Sequence, residues 1–434
     1  MTLDTRIVAD PDTEPYRRGT AGYRRITLSL FAAGLATFIS MYAAQALLPA
    51  LSEDYGVGPG AAALVVSATT GVLALVIVPA SALSARFGRT RVMTVSAIAS
   101  AAIGALLPLS PSIEILIVGR ALQGVAVAGI PAVAMAYLAE EVQGSTLGAA
   151  MGRYVAGTTI GGLAGRLISS AVVDVSTWRW AMEAAAMASL AFALVMTRVM
   201  PASRHFRPQP VGPRVLAANL TGHLRDRRLR LLFLLGFILM GGFVSVYNCI
   251  GFRLLDEPFA LPETVVGLVF LIYLVGTVTS SVAGRLADRL GRYRVLLAGV
   301  AVSGAGLACM LPPSLPWVLV GLLLFTGGFF AAHSVASSWV GSLATRHRAE
   351  ASALYLCAYY LGSSVAGAGA GVAYEFGGWP WATGCVGVLF LLALAVSVRL
   401  ARGGRAETAG ATCGAARRRV ADAGSSGRAL PRLQ

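Results

Sequence analysis

The chain has 434 residues, of which 56% are hydrophobic and 13% are charged, and its mean hydropathy is +0.72. Soluble domains carry about 25% charged residues, so this composition excludes a soluble globular protein and indicates a helical membrane protein with several spans. The net charge of +15 does not indicate a nucleic-acid partner, because the basic residues are all arginines grouped in short segments between apolar runs.

Twelve apolar runs follow the N-terminal tail, and each is long enough to cross a hydrocarbon core about 30 Å thick. The predicted spans are 26–50, 61–84, 92–109, 112–137, 147–173, 179–199, 231–253, 264–287, 295–311, 317–340, 350–374 and 379–399. They form two groups of six, residues 26–199 and 231–399, on either side of a Pro- and Arg-rich linker at 200–230. We expect the N-terminal tail (1–25) and a disordered C-terminal tail (400–434) to be cytoplasmic.

The distribution of arginine predicts the orientation in the membrane. Most arginines lie in the two tails, in the linker and in the loops 86–91, 285–294 and 346–348. The loops on the opposite side carry acids instead, as in "SED" at 52–54. Because Arg-rich loops remain in the cytoplasm, we predict a multi-pass protein of the plasma (inner) membrane with both termini inside.

The two halves repeat each other with an offset of about 203 residues. "ARFGRTR" at 85–91 recurs as "DRLGRYR" at 288–294, and "QGVAVAG" at 123–129 aligns with "TGGFFAA" at 326–332. Two six-helix halves in the same orientation predict a pseudo-twofold axis along the membrane normal. The predicted fold class is therefore an all-α polytopic membrane protein, with 12 transmembrane helices in two pseudo-symmetric six-helix bundles.

The segment "GRLADRLGRYR" at 284–294 resembles the signature cytoplasmic loop of the major facilitator superfamily, and the resemblance extends over residues 26–399. It implies an alternating-access transporter, with a loop thought to latch the inward-closed arrangement by ion pairing. Gly284 would permit close helix approach. The first-half copy has Ala85 where the family carries an acid, so either Asp288 latches alone or the first copy only sets topology. The implied latch residues are Gly284, Asp288, Arg289, Gly291, Arg292, Arg294, Arg86, Gly88 and Arg89.

The segment "GRALQGVAVAGIPA" at 119–132 resembles the span-4 motif of the same family. Arg120 and Gln123 share a helical face with Gly124 and Val127. A cation at a helix centre costs about 2.5–3.5 kcal/mol on insertion scales. Three roles stay open for Arg120: handling of substrate or protons in a cavity, a buried structural pair, or snorkelling to the interface. Under the first role, Arg120→Ala would abolish transport and leave folding largely intact.

The segment "GTTIGGLAGR" at 157–166 resembles the glycine-rich span-5 motif of the family's antiporter branch. Gly157, Gly161 and Gly165 recur every four residues, which is also typical of a helix-packing seam. The proline usual after the second glycine is replaced by Gly162. Both readings, an efflux antiporter and a plain packing seam, therefore stay open.

Spans 1, 4, 7 and 10 line the central cavity in this family, which implies a set of polar candidates. His333 is included because its imidazole titrates near neutral pH. Spans 1 and 4 lack the interior carboxylate often used for proton coupling. Glu183 in span 6 is the nearest alternative, either paired with Arg120 or Arg179 or near the interface. The candidates for the substrate or proton pathway are Arg120, Gln123, Tyr42, Gln45, Tyr247, Asn248, His333, Ser337 and Glu183.

The function we expect is secondary active transport of a small organic solute by alternating access, with proton-coupled efflux ahead of an uptake permease or uniporter. A polytopic membrane enzyme or a transporter-like sensor is a remote alternative, because HExxH, paired intramembrane carboxylates and a folded cytoplasmic module are all missing. The sequence also lacks GxxxxGK[ST], so the proton gradient is the expected energy source. We expect a monomer in the lipid bilayer, with a small-molecule substrate and without a metal, cofactor, enzymatic step or nucleic-acid partner.

Overall fold

The computed structural model describes residues 15–206, 208 and 212–425, with side chains described up to Arg402. The helices of the first half are α1 (Ala21–Tyr55), α2 (Pro59–Phe87), α3 (Arg89–Leu109), α4 (Ile113–Glu141), α5 (Gly144–Val173) and α6 (Trp178–Val199). The linker holds α7 (Pro213–Arg225). The second half consists of α8 (Arg227–Leu255), α9 (Glu263–Leu290), α10 (Arg292–Cys309), α11 (Leu315–Leu343) and α12 (Arg348–Ser425).

Each predicted span lies, to within a few residues, in a helical segment of the structure. In the described part of the chain, nine helices are long and apolar enough to cross a membrane. The long helices α5 and α10 are not among these nine, and each carries two arginines. The helix α12 contains both of the last two predicted spans. A break divides α12 at Gly377 and Gly378, and the φ of +64° at Gly378 is one that glycine adopts without steric cost. The predicted all-helical, multi-span fold class is confirmed.

The linker between the halves differs in detail from the prediction. Within the segment predicted as linker (200–230), the chain forms the separate helix α7, and α8 already begins at Arg227. The start of α8 follows from Asp226, whose carboxylate accepts hydrogen bonds from two backbone N–H groups of the first turn. Such a cap satisfies donors that have no partner inside the helix.

The C-terminal tail also differs from the prediction. We predicted disorder from residue 400, whereas the backbone of α12 continues as helix to Ser425. The segment is rich in alanine and arginine, which have high helix propensity. The remainder of the predicted tail (426–434) lies outside the described residues.

A seam of glycines joins α5 to α1 inside the first bundle. A Cβ atom at Gly157, Gly161 or Gly165 would lie 2.4, 2.8 or 2.7 Å from the backbone of α1. These contacts allow the two helices to pack backbone against backbone. Gly162 lies beside this backbone contact, because a Cβ there would lie 3.3 Å from Arg166 and 3.5 Å from the ring of Tyr42.

The two bundles touch at the end of the molecule that is remote from the described termini. The hydroxyl of Thr264 at the start of α9 donates to Asp174 at the end of α5, at 2.7 Å. A second contact between the bundles joins α12 to α2, where the Ser364 hydroxyl donates to the Ser67 carbonyl, also at 2.7 Å. The main contacts of α5 with α9 involve residues 263–273. The remote end of the molecule is therefore closed.

At the opposite end, the start of the linker is attached to the end of α4. The carboxylate of Glu141 is fully buried and accepts hydrogen bonds from the backbone N–H groups of Arg204 (2.7 Å) and His205 (3.0 Å). Its backbone carbonyl accepts from the N–H of Tyr16, at 2.8 Å, next to an isolated β-bridge between Tyr16 and Val142. The N-terminal segment and the linker thus leave the first bundle from one fixed place.

Candidate functional site

Arg120 lies inside the first bundle, with 1% of its surface exposed. Its guanidinium donates to three backbone carbonyls: Nε to Val65 at 3.0 Å, Nη1 to Ser40 at 2.9 Å and Nη2 to Met41 at 2.7 Å. The carbonyls of α1 are available because the helix changes from α to 3-10 geometry after Tyr42, and carbonyls at the end of an α-helix lack internal partners. Arg120 thus connects α4 to α1 and α2.

Gln123 completes this cluster. Its Oε1 accepts from Nη1 of Arg120, and its Nε2 donates to the Ser40 hydroxyl at 2.7 Å and to the Ser100 carbonyl at 3.1 Å. The free cavity beside these groups has a volume of only about 10 Å³, which is room for one water at most. The cavity-facing position expected for Arg120 and Gln123 is not observed, because these two side chains pack on α1, α2 and α3 and not on the second bundle, and their role in transport stays a prediction.

The second buried arginine, Arg166 of α5, lies between the two bundles with 2% of its surface exposed. Its Nε and Nη2 both donate to Oε1 of Gln45, at 2.8 and 2.6 Å. Nη2 also donates to the hydroxyl of Tyr273 at 3.2 Å, and Nη1 donates to the carbonyl of Gly162 at 2.7 Å. Gln45 belongs to the first bundle and Tyr273 to the second, so side chains from both bundles hold this cation.

Aromatic rings surround the same guanidinium. Its central carbon lies 4.3 Å from the ring centroid of Tyr42, 4.4 Å from that of Tyr273 and 5.2 Å from that of Phe270. A desolvated cation–π contact contributes about 2 kcal/mol. All the hydrogen-bond acceptors of Arg166 are neutral, and it forms no ion pair with any described residue.

Gln45 and Asn248 connect the two bundles directly beside Arg166. Nε2 of Gln45 donates to Oδ1 of Asn248 at 2.7 Å. The two residues are 203 positions apart, which is the offset of the internal repeat. Equivalent residues that touch must lie near the pseudo-twofold axis, so this contact lies close to the axis between the bundles. The other side-chain group of Asn248, Nδ2, is buried and has no hydrogen-bond partner among the described atoms.

An aromatic wall of the second bundle extends from this site toward the end that carries the termini. Tyr247 lies 4.5 Å from Tyr273 between centroids, and its hydroxyl is 2.7 Å from that of Thr326. Stacked rings continue the wall, with 3.9 Å between the centroids of Phe243 and Phe329.

His333 belongs to the far part of the wall. Its ring lies 5.7 Å from Phe329 and 4.7 Å from Tyr359 between centroids. Its Nδ1 lies 2.9 Å from the hydroxyl of Tyr355.

The structure thus brings together four of the predicted pathway residues, Tyr42, Gln45, Tyr247 and Asn248, and connects them through rings to His333. The predicted residue Ser337 is half-buried on α11 and, among the described residues, forms no hydrogen bond with this cluster. Glu183 is half-buried on α6 and, within the described chain, forms no hydrogen bond or ion pair. The pairing considered for it with Arg120 does not occur, because backbone carbonyls and Gln123 already occupy that guanidinium.

The predicted latch loops differ between the halves. Gly88 and Gly291 have φ of +99° and +88°, and each ends one helix and begins the next. Arg89 of the first loop donates to the carboxylate of Glu140 through Nε and Nη2, at 3.1 and 2.8 Å. In the first loop, where Ala85 replaces the acid, Arg89 thus pairs with Glu140 at the end of α4 of the same bundle.

The second loop has no such contact. Asp288 is exposed and, among the described residues, forms no ion pair. Arg292 donates to the hydroxyl of Ser342, whereas Arg289 and Arg294 are exposed. The close helix approach expected at Gly284 does not occur, because a Cβ there would meet nothing within 4 Å.

Comparison with known proteins agrees with this architecture. The sequence model of the Major Facilitator Superfamily matches residues 30–255 and 249–420. The chain belongs to the major facilitator superfamily. The inner membrane transport protein YnfM of Escherichia coli (strain K12) is 42% identical over 399 residues, which cover 92% of this chain and 95% of that protein. The MFS-type transporter YybF of Bacillus subtilis (strain 168) is 39% identical over 386 residues, which cover 89% and 96%.

Solved structures of the same superfamily share the fold at low identity. A bacterial homologue of the lysosomal transporter Spinster, in an inward-facing and unoccupied conformation, has a TM-score of 0.71 at 14% identity, over 88% of this chain and 98% of that one. The human organic anion transporter MFSD10 has a TM-score of 0.67 at 18% identity, over 86% and 99%. This chain is thus an integral membrane protein and a transporter of the superfamily.

Sequence reasoning did not assign Arg166 to the site of this facilitator. The residue was visible as a charge within a predicted span, directly after the glycine motif of α5. Gly157, Gly161 and Gly165 place one face of α5 directly on the backbone of α1, and Arg166 lies beside this face, where it meets side chains of α1 and of α9. No pattern in the sequence indicates that α9 packs beside Arg166 and supplies Tyr273.

Proposed function

We propose that this facilitator exports a small organic solute across the plasma membrane in exchange for protons. It acts as a monomer, leaves the solute chemically unchanged and uses no metal or organic cofactor. One observation carries the proposal: the hydrogen bonds of Arg166 are shared by Gln45 of the first bundle and Tyr273 of the second. A movement of one bundle against the other changes the coordination of this cation, and alternating access requires a central site that such a movement alters.

Orientation follows from the Arg-rich segments, which lie at the same end as the described termini. The positive-inside rule supports a cytoplasmic position for that end. In this orientation the closed end, with the contact of Thr264 and Asp174, faces outward.

The proposal also includes proton coupling, which requires a residue that carries the proton. No carboxylate of the described chain contacts Arg166, and His333 is the member of the aromatic wall with an imidazole, a group that can accept and release a proton. We therefore propose that His333 carries the proton. A uniporter or uptake permease is the second candidate, favoured by the same shortage of carboxylates at the centre.

The test uses the full chain in proteoliposomes loaded with a pH-sensitive dye, to which anionic, neutral and cationic organic solutes are added one at a time. Wild-type protein should move protons when a transported solute is added. His333→Gln should abolish this proton movement, whereas Tyr355→Phe, which removes only the hydrogen-bond partner of the imidazole, should retain it.

Three outcomes would contradict parts of the proposal. Solute movement without proton movement at any pH would establish a uniporter. Proton movement that His333→Gln leaves unchanged would remove His333 from the pathway. Inverted membrane vesicles with an acidic interior should accumulate the solute; accumulation only in right-side-out vesicles in an acidic medium would establish an uptake permease.

A further inference from the structure

We propose that the solute is a planar organic monoanion, such as an aromatic carboxylate, and that Arg166 binds its anionic group; this inference rests on the proposed transport function. The starting point is the charge of the site. Arg166 is almost fully buried, yet its acceptors are an amide oxygen, a backbone carbonyl and a phenol hydroxyl. Hydrogen bonds to neutral groups compensate the lost hydration of a cation only in part. A site of this kind favours an incoming anion.

The geometry of the guanidinium favours a carboxylate. Nε and Nη2 converge on one oxygen of Gln45, at 2.8 and 2.6 Å, along the edge that forms bidentate pairs with carboxylates. The amide of Gln45 thus occupies the place that a carboxylate would fill. A substrate anion would gain charge-assisted hydrogen bonds there, whereas the displaced amide is neutral and leaves at a lower cost.

Asn248 adjoins the same place. Its Oδ1 accepts a hydrogen bond from Nε2 of Gln45, whereas its Nδ2 group faces Gly367 of α12, where a Cβ would lie 3.1 Å away. A carboxylate that displaces the Gln45 amide from Arg166 moves this hydrogen-bond partner of Asn248. Binding would therefore disturb the contact of Gln45 with Asn248 on the pseudo-twofold axis, which couples occupancy of the site to the relative position of the bundles.

The rings determine the shape of the rest of the solute. Tyr42 and Tyr273 lie 4.3 and 4.4 Å from the guanidinium carbon, so an anion on Arg166 would lie next to aromatic rings. Beyond it lie Tyr247 and the stacked pair of Phe243 and Phe329. Flat unsaturated groups pack well against such rings. A single cation without an acidic neighbour selects a monoanion and repels organic cations.

Binding is tested with benzoate as the probe and the purified full chain in detergent, by isothermal titration and by the shift in melting temperature. Benzamide is the neutral analogue, benzamidine the cationic analogue, and acetate the anion without a ring. Benzoate should bind and raise the melting temperature, whereas the analogues should bind at least about tenfold more weakly, as expected from loss of a charge-assisted hydrogen bond.

Two variants locate the binding site. Arg166→Lys keeps the charge but loses the bidentate edge, and should weaken benzoate binding about tenfold or more. Gln45→Glu places a carboxylate of the chain itself on Arg166; it should abolish benzoate binding while raising the melting temperature of the unliganded protein. Arg153→Gln is the matched control, because Arg153 is an exposed arginine of the same helix, and it should bind benzoate like wild type.

The outcomes separate this inference from the transport proposal. If neutral or cationic solutes are transported and benzoate neither binds nor competes, the substrate class is wrong and transport stands. If benzoate binding is unaffected by Gln45→Glu and Arg166→Lys, Arg166 is not the anion site. If benzoate binds but no solute of any charge moves in proteoliposomes, the transport proposal fails and the binding site remains.

Discussion

Arg120 and Arg166 are both buried cations in long helices of the first bundle, with 1% and 2% of their surface exposed. They differ in what holds them. Three of the acceptors of Arg120 are backbone carbonyls of its own bundle, which move only if α1 or α2 moves. The acceptors of Arg166 include side chains from opposite bundles. Backbone acceptors fix a helix arrangement, whereas side-chain acceptors can be exchanged for a ligand.

The second bundle shows that the fold of a half does not require the first kind of arginine. Leu323 stands at the position equivalent to Arg120, and Thr326 stands at that of Gln123. Thr326 forms a hydrogen bond with Tyr247, and Phe243, at the position of Ser40, stacks on Phe329. One bundle therefore fills this region with a polar cluster and the other with aromatic rings.

The largest expected effect is on transport in Arg166→Gln. The variant should lose solute transport by about a hundredfold or more, because both the charge and the bidentate edge that bind the solute are removed. Its melting temperature should equal or exceed that of wild type, since the cost of burying an unpaired cation is removed. Transport in proteoliposomes and thermal unfolding in detergent measure the two effects; a large loss of stability would assign Arg166 a structural role like that of Arg120.

Arg120→Met should show the opposite pattern. The carbonyls of Ser40, Met41 and Val65 would lose their donor, which should reduce the free energy of unfolding by on the order of 3 kcal/mol. This differs from the expectation based on the sequence, in which transport is lost and folding is retained. A melting temperature equal to that of Arg153→Met, together with loss of transport, would restore a direct role for Arg120.

The smallest expected effects concern the two loops: Glu140 forms an ion pair with Arg89 of the first loop, whereas Asp288 of the second loop forms no ion pair among the described residues. Glu140→Gln removes the partner of Arg89, and should lower the free energy of unfolding by about 1 kcal/mol or less, because the pair is partly exposed. Asp288→Asn should leave stability unchanged and slow the transport cycle without changing solute affinity, if the exposed carboxylate pairs only in the other arrangement of the bundles. Equal losses of stability in both variants would contradict this difference between the loops.

The sequence by itself determined the helical class, the span positions, the repeat and the presence of charges that a membrane span does not tolerate without a partner. The length and composition of an apolar segment are local properties, so they can be read from the sequence without knowing which helices pack together. The glycine spacing of α5 likewise indicated a packing face, and Gly157, Gly161 and Gly165 lie on it.

Only the tertiary structure decided which neighbour each polar face meets. Helical periodicity groups Arg120 with Gln123, but it does not say whether that face meets α1 or the second bundle. Gln45 and Asn248 are related by the 203-residue offset in the sequence, yet their contact exists only because both lie on the pseudo-twofold axis. Arg166 acquired its place at the centre from the packing of α5 against α1 and α9, which depends on residues more than a hundred positions apart.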